Sequence, residues 1–142
     1  MATLNSESEL FGALSDWIKK DHKDLEIQEP ISEPAPSPDL YISNKRTGRG
    51  LGIELRVDNR RLPVGIYPSL KAMQEKMKEQ NNSFVVLSTG QLSDALWSNV
   101  RASDIKVYEI SDVAQAIEVI EPLVQKIEEN QDPTNGNKTE TS

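Results

Sequence analysis

The stretch PDLYISNKRTGRGLGIELRV, residues 38–57, decides the fold. Asp39 to Ser43 and Leu51 to Val57 each alternate apolar and polar residues with period two, the pattern of strands with one buried face. Between them Asn44 to Gly50, NKRTGRG, is turn chemistry. Leu40 and Ile42 point one way, and Asp39, Tyr41 and Ser43 the other. On the second strand Leu51, Ile53, Leu55 and Val57 oppose Gly52, Glu54 and Arg56. Both apolar sets can face one core only if the numbers of paired residues sum to an odd value. A two-residue turn at Thr47-Gly48 gives such a register, with Leu40 opposite Leu55 and Asp39 opposite Arg56. Glu54 then lies diagonally from Asp39, with Cβ atoms about 7 Å apart. Two carboxylates at that spacing can converge on one hard cation. A register two residues away keeps the faces and changes the distance.

Working outward, Leu10, Phe11, Leu14, Trp17 and Ile18 recur at helical spacing, behind a capping box of Ser6 and Glu9. Leu25 and Ile27 open a short strand. Residues 29–38, with Pro30, Pro34, Pro36 and Pro38, read as a stiff loop inside the domain. Pro68 starts a helix carrying Leu70, Met73 and Met77. SFVVLS, residues 83–88, is a strand apolar on both faces. A helix over residues 92–100, a strand over 105–110 and a helix capped by Ser111 or Asp112 follow, with Pro122 expected to kink or restart the last. The order α-β-β-β-α-β, then α-β-α, predicts an α/β fold with a mixed central sheet flanked by helices. Residues 1–129 form one domain in this reading, and 130–142, without a large apolar residue, a disordered tail.

Composition narrows the function classes. The 142 residues contain no cysteine and one histidine, which excludes disulfides, thiolate zinc sites and multi-histidine metal sites. A net charge of -7 excludes a wholly basic coat for nucleic acid. With no signal peptide and no spanning apolar run, the expected location is the cytoplasm, away from membranes. The basic residues are nonetheless concentrated. Lys45, Arg46, Arg49, Arg56, Arg60 and Arg61 fall in one window with only Glu54 and Asp58, a local +4 on a chain otherwise at -11. Lys45, Arg46, Arg49, Arg60 and Arg61 are therefore the candidate nucleic-acid contacts.

Pro38-Asp39 at the head of one strand, followed by Glu54-Leu55-Arg56 in the next, resembles the PD-(D/E)XK nuclease superfamily. The element order from Ser8 to Ser88 is similar to that family's restriction-endonuclease-like core. The resemblance implies a Mg²⁺- or Mn²⁺-dependent nuclease cleaving DNA. Asp39 and Glu54 would be metal-binding carboxylates, Arg56 would stand at the motif lysine, and the site would be catalytic through these three. It also implies a further acid from the first helix, for which Glu9 is the nearest candidate, and a homodimer or other protein partner. Arginine can neutralise charge there but cannot deprotonate a water, since its pKa exceeds about 12. A second reading is therefore a catalytically degenerate nuclease-fold module that binds nucleic acid or a protein. A third is an unrelated acidic adaptor using its last helix. The plain alternatives are Asp39 and Arg56 as a surface ion pair, Trp17 and Trp97 as core or interface, and His22 bonded to carbonyls at a helix end.

Overall fold

A computed structural model describes residues 6–28, 38–58 and 60–129. The proline-rich loop, apart from Pro38, and the tail fall outside the described residues. The elements are α1 (Glu7–Asp21), β1 (Leu25–Gln28), β2 (Leu40–Asn44), β3 (Gly50–Arg56), α2 (Tyr67–Glu79), β4 (Ser83–Ser88), α3 (Asp94–Ala102), β5 (Lys106–Glu109) and α4 (Val113–Glu128). A short 3₁₀ turn, Val64–Ile66, leads into α2. The strands lie side by side in chain order. β2 pairs antiparallel with both β1 and β3, whereas β3–β4 and β4–β5 pair parallel. The predicted α/β class, element order and mixed sheet are what the fold contains.

Two cores sandwich the sheet. α1 and α4 cover one face, where Leu10, Leu14, Ile18, Ile120 and Val124 meet Leu40, Ile42, Leu51, Ile53, Leu55, Val85 and Leu87. α2 and α3 cover the other at β4, where Leu70, Met73, Leu96 and Val100 meet Phe84 and Val86. β4 is buried along its whole length, as its unbroken apolar run requires. Trp17 and Trp97 pack against these cores. Ser6 caps α1 through its hydroxyl, which accepts from the Glu9 amide at 3.0 Å, and Asp112 caps α4.

Three local expectations change. First, the hairpin register is shifted by two residues: Leu40 pairs with Ile53 and Ile42 with Leu51. The turn is longer than a two-residue one. The Asn44 amide donates to the Arg49 carbonyl, closing a loop of residues 45–48 with Gly48 at φ +78°. The side chain of Asn44 accepts from the Arg46 amide, and Thr47 Oγ1 accepts from the Arg49 amide. Asn44 is also buried, and its Nδ2 donates to the Ile127 carbonyl at the end of α4, which pins the end of β2. Second, α4 runs through Pro122 without restarting there. Third, the His22 side chain meets Glu128 Oε2 at 2.7 Å and stands edge-on to Trp17. Only its backbone amide bonds a helix carbonyl, that of Ile18.

Candidate functional site

Extending the observed register by one residue sets Asp39 directly across from Glu54, rather than across from Arg56. Both point away from the α1/α4 core, because Leu40, Ile53 and Leu55 claim that side. Asp39 Oδ2 accepts from the Leu55 amide at 3.0 Å, which fixes its carboxylate at the open end of the hairpin. Glu54 is 5% exposed. Burial pushes its carboxyl up to about 8, and the adjacent Asp39 charge adds to the rise. Arg56 opposes it, while a hydrogen bond with Asp39 and the more distant Glu7 charge favour the protonated form.

Arg56 turns onto its own strand: its Nε lies 3.0 Å from Glu54 Oε2. The contact is an ion pair without hydrogen-bond alignment, and Glu54 Oε1 is buried and meets no donor among the described residues. The first-helix acid acting on Glu54 is Glu7 rather than Glu9. Glu7 Oε2 also lies 3.4 Å from the Val57 amide, tying the start of α1 to the end of β3. Its position one helical turn-fraction before Glu9 could not be resolved from spacing alone, because both residues lie in the first turn of α1.

The loops at the carboxyl ends of the parallel strands lock together beside this site. The Thr89 amide donates to the Arg56 carbonyl, and Thr89 Oγ1 accepts from the Asp58 amide and donates to its carbonyl. The Leu62 amide donates to the Gln91 carbonyl. Arg60 and Arg61 are exposed on the same loop. Arg60 leans on Asp58 at 3.5 Å and Arg61 on Gln91 at 3.5 Å.

Lys45, Arg46 and Arg49 belong to the opposite end of the hairpin. The five residues of β2 put about 17 Å between that turn and Asp39. One window of sequence is thus two regions in space. A wider charge polarity accompanies the split. All four helices start at the Asp39 end of the sheet and finish at the turn end. First-turn acids Glu7, Glu9 and Asp94 lie at their starts, and Lys19, Lys20, Lys76, Lys78, Arg101 and Lys126 at their finishes. These charges complement the helix dipoles. Among the described residues, no group of three or more His, Asp or Glu is arranged to hold a metal ion. No described helix is long and apolar enough to cross a membrane.

The fold and this geometry define an α/β protein with a carboxyl pair and an arginine at the open end of a central hairpin. No family model matches the sequence, and no curated protein matches it. Among solved structures, the chain is similar to EndoMS in its apo form, with 14% identity and a TM-score of 0.46 over 78% of this chain and 48% of that one. It is also similar to EndoMS in an EndoMS–dsDNA2 complex, with 16% identity and a TM-score of 0.47 over 78% of this chain and 46% of that one. The chain therefore spans just under half the length of either.

Proposed function

We propose that this protein is a Mg²⁺-dependent nuclease acting on DNA, with Asp39 and Glu54 as metal ligands and Arg56 as the charge-neutralising group. The observation that carries the reading is the meeting of Asp39 and Glu54 on one face of the hairpin, with a buried Glu54 oxygen that meets no donor among the described residues. A buried acceptor without a donor is costly, and a cation beside the two carboxyl groups would displace the Glu54 proton, offset that cost and relieve the repulsion of the ionised pair. Two protein carboxylates suit Mg²⁺, which keeps several waters and rarely takes an all-protein cage. When bound, the ion would supply Lewis-acid charge at the phosphodiester and a more acidic water. The chain's own part is to hold the two carboxylates and to present Arg56 to the phosphate. Phosphate contacts by Arg60 and Arg61 belong to the same reading, as does Mn²⁺ in place of Mg²⁺.

The degenerate-module reading has its own support. Arg56 occupies the motif lysine position, is engaged with Glu54, and cannot accept a proton. Supercoiled plasmid separates the two. The nuclease reading expects nicking by the wild type with Mg²⁺ or Mn²⁺, and none by Asp39→Ala. An inactive wild type together with an active Arg56→Lys variant would instead mark a site that decayed at this residue. Inactivity of both would sink the enzyme.

Metal binding is checked independently by melting curves at matched ionic strength. At ten times its dissociation constant Mg²⁺ should stabilise the wild type by about 1.4 kcal/mol and leave Asp39→Ala unmoved. An unmoved wild type would remove the ion from the site.

A further inference from the structure

At the turn end of the sheet, on the α2/α3 side, lies a polar cavity of about 230 Å³. Arg49 from the hairpin turn just before β3, Lys78 from the last turn of α2 and Lys106 from the start of β5 line it. Three separate elements thus deliver a cation each. Asn82 and Ser83 add an amide and a hydroxyl from the head of β4. Among the described residues, the one carboxylate in the lining is Asp104, which Lys106 Nζ meets at 3.0 Å. Lys78 is accounted for by the carboxyl end of α2, where a cation offsets the dipole. Arg49 precedes β3 and Lys106 opens β5, at the same end of the sheet as the carboxyl ends of α2 and α3.

We propose that this cavity holds a phosphate group of a bound nucleic-acid strand. Its size is below that of a drug-sized pocket and suits a phosphate with its sugar. A phosphate ester could come from a strand or from a free nucleotide. The strand is favoured because exposed Lys45 and Arg46 carry the positive surface beyond the cavity on the adjoining turn. The cavity and the Asp39–Glu54 pair also share one face of the sheet. Their separation of about 17–20 Å corresponds to the axial rise of roughly five to six base-pair steps of duplex DNA at about 3.4 Å each. One polyanion can therefore engage both. The inference rests on the nucleic-acid part of the function proposed above but not on cleavage.

The test uses the full chain, with Lys78→Gln/Lys106→Gln as the loss variant and Asp104→Asn as the gain variant. Asp104 has φ +57°, a left-handed conformation that asparagine tolerates well, so the gain variant keeps the fold. It frees Lys106 from its counter-ion. One arm titrates a 20-base-pair DNA duplex by fluorescence anisotropy across salt concentrations. The other adds inorganic phosphate or AMP and follows the Asn82 and Ser83 amides by NMR.

On duplex, each lost contact should lower the salt slope by about 0.9 and the affinity by about eightfold at 0.1 M salt, while Asp104→Asn should bind tighter than wild type. Phosphate-induced amide shifts that vanish in the loss variant, with no duplex binding even by wild type, would keep the cavity and remove nucleic acid from the proposed function. Those shifts with unchanged duplex affinity would transfer the cavity to a free phosphate ester and overturn the strand. Unaltered duplex affinity and slope in both variants, with no amide shifts, would overturn the cavity as a phosphate site and leave the carboxylate site to be judged by plasmid nicking.

Discussion

Glu54→Gln should be more stable than the wild type at pH 8.5 by a few kcal/mol, and the two should converge near pH 4.5. The folded protein holds the Glu54 proton up to about pH 8, against an ordinary value of 4.5. Between those two values the native state binds a proton that the unfolded chain has released. Stability must then fall as pH rises through that window. The contribution is fully present below about 4.5 and fully lost above about 8, with a slope of about 1.4 kcal/mol per pH unit. Its ceiling across the window is roughly 5 kcal/mol.

Glutamine keeps the shape and never ionises, so the mutant lacks this loss. Urea denaturation of both proteins from pH 4.5 to 9 measures it. The diagnostic quantity is the difference between the two curves, since titration of the groups not coupled to Glu54 cancels in it. A constant difference across the range would mean that Glu54 is ionised throughout and is held by Arg56. In that case burial is not what governs this carboxyl.

The second large effect concerns the loops beside the carboxyl pair. A Cβ built on Gly90 would stand 2.5 Å from the Arg60 carbonyl oxygen and 2.9 Å from that of Asp58. Both obstacles are backbone, so no side chain can swing away. Gly90 also accepts from Ser88 Oγ through its carbonyl and donates to the same oxygen through its amide, which fixes it in place. Gly90→Ala should cost about 2–3 kcal/mol, near the upper end for overpacking, and should push Asp58 and Arg60 outward.

Gly65→Ala is the matched control, because nothing lies within 4 Å of the added methyl. It should be neutral or should stabilise by up to about 1 kcal/mol through the unfolded chain. If Gly90→Ala unfolds at the same urea concentration as Gly65→Ala, the two loops are not in close contact. Nuclease or DNA-binding assays on a folded Gly90→Ala protein would then report how far Arg60 and Arg61 depend on that contact.

Much of this was legible in the chain. Period-two alternation puts Asp39 and Glu54 on one face and Leu40, Ile53 and Leu55 on the other, whatever the register, because a shift of two residues preserves faces. The capping signals of Ser6 and Asp112, the helical stripes and the unbroken SFVVLS run are local, so the order of elements followed from them. Tertiary packing decided the rest. The register depends on a four-residue turn and on the docking of Asn44 to the end of α4, a contact 83 residues away in the chain. That shift turned a diagonal carboxyl pair into a directly opposed one. The burial of Glu54, and with it the raised carboxyl, exists only once the sheet faces are covered. The basic window looked like one patch because its charges are neighbours in sequence. A seven-residue strand separates Arg49 from Arg56, and an extended strand carries charge away from charge at about 3.3 Å per residue.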